Sequence, residues 1–291
     1  MKVAVYARQV SSEHHGLFAR LFAELERLKC AVFIHQPLLH QLRGAGIKPE
    51  CTAFHSGTEI HGRVDFLLSL GGDGTILDTL TLVQDSELPV LGINLGRLGF
   101  LTGVGQDELI SALEALQKGH FSMDKRGLLR LESDRNLFGK VNYALNELTI
   151  HKKDSSSMIT INTYLNGEFL NSYWADGLII ATPTGSTGYS MSCGGPIVAP
   201  YSGNFVITPI APHNLSVRPI VVSDKNVISL EVESRTPYFI ATLDSRSVTI
   251  DTAISLAVRK EDFAMNLIRL GSSNFLDTLR RKLNWGLDTR N

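Results

Sequence analysis

The 291-residue chain carries 28 basic and 29 acidic side chains, a formal net charge of −1. That balance argues against a broad nucleic-acid-binding surface, and the length accommodates two domains around a well-buried core. No apolar run approaches the roughly 20 residues of a membrane span, and Cys30, Cys51 and Cys193 are too scattered for a disulfide framework, so a reduced, cytoplasmic protein without a membrane partner is expected.

The first residues, Met1-Lys2-Val3-Ala4-Val5-Tyr6, enter an apolar strand directly, which leaves no room for a signal peptide. A strand is predicted over residues 3–7, then a helix capped by Ser11 or Ser12. Leu17, Phe18, Leu21, Phe22, Leu25 and Leu28 recur along one face of that helix. A buried strand over residues 64–70 runs into Gly71-Gly72-Asp73-Gly74-Thr75, followed by a helix over 76–83. A further strand is predicted over 89–94 and a helix over 107–118, with Leu109, Ile110, Leu113 and Leu116 on one face. Such alternation implies a parallel sheet that binds ligands at the carboxyl ends of its strands.

The Gly71–Thr75 turn is the most informative segment. Glycines let bare N–H groups approach a phosphate, and a helix N-terminus favours negative charge there. A pure phosphate cradle would avoid the carboxylate of Asp73. Its presence suggests either a metal ligand or a proton acceptor for an attacking hydroxyl; the plainer alternative makes Asp73 the helix N-cap. The turn lacks the Gly-Lys-Ser/Thr of a P-loop and the G-x-G-x-x-G of a dinucleotide fingerprint, and the glycines of 92–99 are also wrongly spaced for the latter.

From about residue 121 the rhythm becomes that of strands. Residues 160–169 read as a hairpin around Asn166-Gly167, and 227–232, 238–243 and 248–258 continue in β-rich alternation. In the tail, Phe275, Leu276, Leu279 and Leu283 form a helical stripe beside Arg280, Arg281 and Lys282, a cluster read as a solvated face. The fold class is therefore a Rossmann-like α/β domain over 1–120, carrying the glycine turn, and a β-sandwich-like domain over 121–264. The tail 265–291 is expected to pack back on the first domain. His14, His15, His35, His40, His55 and His61 show no metal-ligand spacing, so no side-chain metal cluster is expected. No G-x-S-x-G hydrolase elbow accompanies Ser186, since Thr184 stands at the first glycine position.

Three further segments join the glycine turn: Gly-Ile-Asn-x-Gly-x-Leu-Gly-Phe-Leu-Thr at 92–102, including Arg97 and Leu98; Asn146-Glu147; and the run from Ala175-Asp176-Gly177 through Thr182-Pro183-Thr184-Gly185-Ser186-Thr187-Gly188-Tyr189-Ser190 to Gly194-Gly195-Pro196. In this order they closely resemble the NAD kinase family across residues 64 to 220. The GGDGT turn alone is shared with lipid kinases, whereas 182–195 is far more discriminating. The resemblance implies transfer of the ATP γ-phosphoryl group to the 2′-hydroxyl of the adenosine ribose of NAD, giving NADP. It also implies Mg²⁺ or another divalent cation arriving with ATP, and a homodimer or homotetramer in which a neighbouring subunit completes part of the pocket.

By the same resemblance Asp73 is the proton acceptor. Gly71, Gly72, Gly74 and Thr75 accommodate the phosphates of ATP, and Asn146 and Glu147 grip the acceptor ribose. Asp176, Thr187, Tyr189, Ser190, Met191, Ser192 and Ala211 surround the dinucleotide, Tyr189 offering an aromatic face. His213 lies near this pocket in the sequence reading. Four positions depart from the family. Gly188 stands where Ala is frequent, and Asp78 where a basic residue is common, which makes Arg97 a candidate replacement on the phosphate side. Trp174 stands where Arg is frequent, with consequences for the nicotinamide end, and Arg246 replaces Gln beside the NAD site. The competing readings are a lipid or sugar kinase sharing the glycine turn and an NAD-binding regulator without catalysis.

Overall fold

The computed structural model describes residues 1–97, 99–154, 157–271 and 274–284; Leu98 of the 92–102 motif and 285–291 of the tail lie outside the described residues. The chain divides into two compact units, residues 1–125 with 265–291, and residues 126–264.

The first unit is built by strand–helix alternation: β1 (Lys2–Ala7), α1 (His15–Arg27), β2 (Ala31–His35), α2 (Gln36–Gly44), β3 (Thr52–Phe54), β4 (Phe66–Gly71), α3 (Asp73–Val83), β5 (Val90–Asn94) and α4 (Leu109–Lys118). A single 3₁₀ turn at Ser12–His14 precedes α1, and Ser11 bonds His14 Nδ1 at 2.6 Å instead of capping a backbone N–H. The predicted apolar face of α1 is buried at Leu17, Phe18, Leu21, Phe22 and Leu25, against Val3, Val5, Ile34, Leu38 and Leu113. The strands pair in parallel in the order β3-β2-β1-β4-β5. The order reverses between β1 and β4, and a crevice at the carboxyl ends of two such strands is where open α/β sheets bind ligands. Residue 8 and the glycine turn both emerge there.

α3 starts three residues earlier than the apolar pattern predicts. Gly72, extended at φ −104° and ψ −168°, is the N-cap, so Asp73 stands in the first turn and not at the cap. Gly71 is required by crowding, since a Cβ there would lie 2.1 Å from Thr75 Oγ1.

The second unit begins within β6 (Ser122–Ser133) and continues through β7 (Tyr143–Ala144), β8 (Glu147–Lys152), β9 (Ile159–Leu165), β10 (Glu168–Ala175), β11 (Gly177–Ala181), α5 (Tyr189–Ser192), β12 (Asn204–Ile210), β13 (Ile220–Ser223), β14 (Ile228–Glu233), β15 (Tyr238–Leu243), β16 (Arg246–Asp251) and the first part of β17 (Leu256–Arg269). One antiparallel sheet runs β13-β12-β11-β8-β15-β16; opposite it, β10, β9, β14 and β17 pair antiparallel. Alternate residues of the two sheets share one core. Leu148, Ile150, Leu178, Ile180, Phe239 and Ala241 come from the first, and Ile159, Ile161, Tyr173, Ile228 and Leu230 from the second. Asn166 and Gly167, at φ +50° and +84°, make the predicted two-residue hairpin turn.

The single strand expected over 248–258 is broken into β16 and β17. Asp251 explains the break: its side chain accepts from Ala253 N at 2.9 Å and its carbonyl from Ile254 N at 3.0 Å, closing a turn that the apolar alternation masks.

β17 ends in the first unit, where Leu267 pairs in parallel with Val90 of β5. Arg269 there pairs with the buried Asp124 at 2.9 Å. The tail forms α6 (Phe275–Leu283), with the Asn274 side chain accepting from Asp277 N as its N-cap. Only Leu279 of its apolar stripe is buried; Leu276 is 56% exposed.

Candidate functional site

In the first unit the geometry converges on Asp73. Its carboxylate accepts from the backbone N–H groups of Phe100 at 2.8 Å, Leu101 at 3.0 Å and Thr102 at 3.3 Å. Gly99 makes this approach possible, because a Cβ there would lie 1.9 Å from Asp73 Oδ1. The 92–102 motif thus has a local purpose: its glycine and the following amides aim one carboxylate. The side chain is nevertheless 27% exposed, and it stands at the N-terminus of α3, where the helix dipole favours anions.

The charge of Asp78 is matched within this unit. Tyr6 and Arg8, from the end of β1, both bond it: Arg8 Nε lies 2.5 Å and Arg8 Nη2 2.6 Å from its two oxygens, and the Tyr6 hydroxyl 3.2 Å. Arg8 Nη2 also donates to the Gly74 carbonyl at 3.1 Å. The cation beside the glycine turn is therefore Arg8, a residue the sequence reading passed over. Burial and the Asp78 carboxylate together push the Tyr6 hydroxyl up to about 12. Arg97, the sequence candidate for that charge, is exposed.

In the second unit Asn146 and Glu147 lie at the start of β8, and three separate grips fix their backbone. The carboxylate of Asp244, in the tight turn between β15 and β16, accepts from the N–H groups of Leu145 at 2.9 Å, Asn146 at 2.8 Å and Glu147 at 3.2 Å. Thr182 donates its hydroxyl to the Leu145 carbonyl at 2.6 Å and its N–H to the Asn146 carbonyl at 2.8 Å. Gly185 packs so closely that a Cβ there would lie 2.1 Å from the Asn146 carbonyl oxygen. Arg246 completes the clamp by donating to the carbonyls of Val141 and Tyr143. Its guanidinium is thus committed to the protein backbone, and burial lowers its pKa. Burial pushes the Asp244 carboxyl up, against the downward pull of its three amides and Arg246.

The side chains so positioned are short of partners. Asn146 Oδ1 and Glu147 Oε2 are buried, and neither has a hydrogen-bond partner. Desolvation first, and the Asp244 charge second, raise Glu147 to about 8. Buried acceptors left without donors are costly. Gly188 borders the pair, its Cβ position lying 3.4 Å from Glu147 Oε2.

The remaining sequence candidates divide. Tyr189 is 42% exposed, and Ser192 and Ala211 are exposed, the latter at φ +44°. Thr187 and Met191 are partly buried, with the Thr187 hydroxyl donating to the Thr184 carbonyl at 3.3 Å. Ser190 is fully buried and shares a 2.8 Å hydrogen bond with Thr208, so its side chain braces the 182–195 segment. Asp176 forms a 2.6 Å ion pair with Lys152. Trp174 and His213 are brought together with ring centroids 4.2 Å apart, the tryptophan 52% exposed. Among the described residues, no group of three or more His, Cys, Asp or Glu is arranged to hold a metal ion, and no helix is long and apolar enough to cross a membrane.

Asp244 holds the backbone of Asn146 and Glu147, Arg8 braces the glycine turn, and the sequence offered little toward either. Asp244 follows a strand in a polar turn, a common setting. Arg8 is visible only through the oddity of an acidic residue at 78.

The chain matches two family models: the ATP-NAD kinase N-terminal domain over residues 48–121 and the ATP-NAD kinase C-terminal domain over 145–270. It is 45% identical to an NAD kinase of Flavobacterium psychrophilum over 294 residues, covering both chains completely. It is 52% identical to an NAD kinase of Cytophaga hutchinsonii over 240 residues, 82% of each chain. Among solved structures, an Archaeoglobus fulgidus NAD kinase in complex with ATP matches at TM-score 0.73 and 27% identity, covering 98% of this chain and 99% of that one. A yeast NADH kinase complexed with NADH shares the fold at TM-score 0.89 and 24% identity, covering 100% and 89%. Both domain models decide against the lipid- or sugar-kinase alternative.

Proposed function

The chain belongs to the ATP-NAD kinase family, and from that premise we propose that Asp73 takes the proton of the NAD 2′-hydroxyl as the ATP γ-phosphoryl group is transferred to it. The observation that carries this reading is the Asp73 carboxylate itself, aimed by three backbone amides yet open to solvent at the start of α3. Phosphoryl transfer asks little of a base, since its transition state is loose and its catalysis is mostly positioning and charge stabilisation. The substrate hydroxyl becomes acidic as its bond to phosphorus forms, and the proton then moves to Asp73.

The ribose is held by Asn146 and Glu147. Hydroxyl groups both donate and accept, so a diol satisfies the unpartnered Asn146 Oδ1 and Glu147 Oε2 whatever the proton state of the acid. Tyr189 and the Trp174–His213 stack offer exposed ring faces for the base and the nicotinamide end. Asp176, Thr187, Gly188, Met191, Ser192 and Ala211 line the dinucleotide site. Ser190 and Arg246 serve it by bracing its walls. Gly71, Gly72, Gly74, Thr75 and Arg97 take the phosphate side, with Arg8 bracing the Gly74 carbonyl. The divalent cation enters with ATP as part of the substrate. Three free thiols accord with a cytoplasmic location, and a homo-oligomer is proposed, to be checked by light scattering.

The test is NADP formation from NAD and Mg·ATP by the purified chain, read with an NADP-specific dehydrogenase, with Asp73→Asn alongside. Turnover that collapses in the variant is the expected result. A folded wild-type protein that binds NAD and makes no NADP would make it a regulator.

A further inference from the structure

The reading above leaves a lysine at the reacting carboxylate without a task. Phe275, Leu279 and Lys282 are spaced i, i+4, i+7 and so share one face of α6. Leu279 is buried, and the Phe275 ring meets that of Phe100 with centroids 6.1 Å apart. This face lies against the segment whose amides hold Asp73. Lys282 Nζ stands 4.7 Å from the centre of the Phe100 ring and 3.6 Å from Asp73 Oδ2. The basic cluster of the tail is exposed, as the sequence reading expects; Arg280 pairs with Asp277 on its own helix, while Lys282 extends its ammonium to Asp73.

Stability does not account for this placement. A 3.6 Å separation is too long for a hydrogen bond, and the lysine side chain is 35% exposed, conditions under which an ion pair contributes little. Nor does Asp73 need it, since backbone amides already serve both of its oxygens. What remains is an ammonium with its N–H donors available, its stem steadied over an aromatic face, beside the atom that receives the proton. Phosphoryl transfer spreads negative charge over the equatorial oxygens, and a cation fixed in place before the reaction stabilises that charge most effectively.

We propose that Lys282 is a catalytic residue of the transfer, its ammonium binding an equatorial oxygen of the γ-phosphoryl group as it passes from ATP to the ribose. The proposal rests on the reading of Asp73 as the proton acceptor. In the step, the ribose 2′-oxygen forms a bond to phosphorus while the bond from phosphorus to the bridging oxygen of ATP breaks. ADP leaves with that electron pair, the hydroxyl proton goes to Asp73, and Lys282 keeps its proton throughout.

The experiment compares Lys282→Met, Lys282→Arg, Lys282→Ala and Asp73→Asn with wild type in the full-length protein. Methionine preserves a flexible apolar stem over Phe100 and removes only the charge. For Lys282→Met, kcat is expected to fall roughly 10²–10³-fold, with NAD affinity by calorimetry and the melting temperature little changed. Lys282→Arg should keep more activity, and added ethylamine should restore part of the rate of Lys282→Ala, an effect that a structural role for the lysine would not produce. Wild-type kcat in a folded Lys282→Met, or a rate loss that neither arginine nor ethylamine relieves, overturns the proposal while leaving Asp73 in place. Undiminished kcat in Asp73→Asn would instead overturn the underlying site reading.

Discussion

Asp73 and Glu147 are both set in place by a motif glycine and a neighbouring backbone, yet their surroundings are opposite. Asp73 is crowded by donors, three amides and a threonine hydroxyl, with the ammonium of Lys282 3.6 Å away. Glu147 is starved of them, with its own N–H given to Asp244 and its Oε2 buried without a partner. The first carboxylate stands among its donors at a solvent-accessible turn. The second is buried with an oxygen short of bonds. The same functional group thus stands in two opposite settings.

The largest effect that would sharpen this contrast is Asp73→Asn, which preserves shape and removes basicity. Turnover should fall roughly 10²–10⁴-fold with NAD affinity within a few-fold of wild type by calorimetry; near-normal turnover would remove the assigned role. Next comes Gly99→Ala, whose new methyl would meet Asp73 Oδ1 at 1.9 Å. Overpacking of this kind costs about 1–3 kcal/mol, and the displaced carboxylate should slow turnover on the order of 10–100-fold. A variant as stable and active as wild type would show that the cradle tolerates movement.

Glu147→Ala should weaken NAD binding by roughly tenfold, the worth of one or two hydrogen bonds, and slow transfer as well. Unchanged affinity would count against the ribose grip. Glu147→Gln tests the proton directly. The folded value near 8 lies above the ordinary 4.5, so the native state binds the extra proton. Stability from this group is complete below about pH 4.5 and declines as the pH rises through 8. Chemical denaturation should therefore show wild type losing on the order of 1–4 kcal/mol relative to Glu147→Gln between pH 5 and 9. Parallel profiles would place the proton elsewhere. The smallest change is expected of Asp78→Asn, which loosens an exposed Arg8 pair worth about 0–1 kcal/mol; the melting temperature should hardly move.

Much of the fold class was legible because its signals are local. Periodicity located α1 and α4, and Asn166-Gly167 dictated its own hairpin. Asp73 was legible as chemistry for a different reason: a carboxylate among phosphate-binding glycines is an anomaly that asks for a role. What escaped was everything set by distant partners. Arg8 meets Asp78 across seventy positions, and Asp244 meets Asn146 across ninety-eight. Neither carries a local mark, because an arginine after a strand and an aspartate in a turn are ordinary by themselves. The nearness of Lys282 to Asp73 escaped for the same reason: helical spacing shows which residues share a face, not what that face meets. The start of α3 and the break at Asp251 were missed where a backbone hydrogen bond outweighed the apolar pattern.

The return of the chain to its first unit also separates the order of synthesis from the order of completion. The second unit is continuous from Arg126 to Ala264 and has all its strands once that span has emerged. The first unit, although made first, still lacks the strand that pairs with Val90 and the helix that carries Lys282 to Asp73. At about 5–20 residues per second, the nascent α/β layer waits with Val90 of β5 lacking its second partner, while Ile93 is already bridged to Val104. A ribosome-bound chain truncated before residue 265 therefore presents a finished β unit beside an open sheet edge, the feature most exposed to mispairing and chaperone capture.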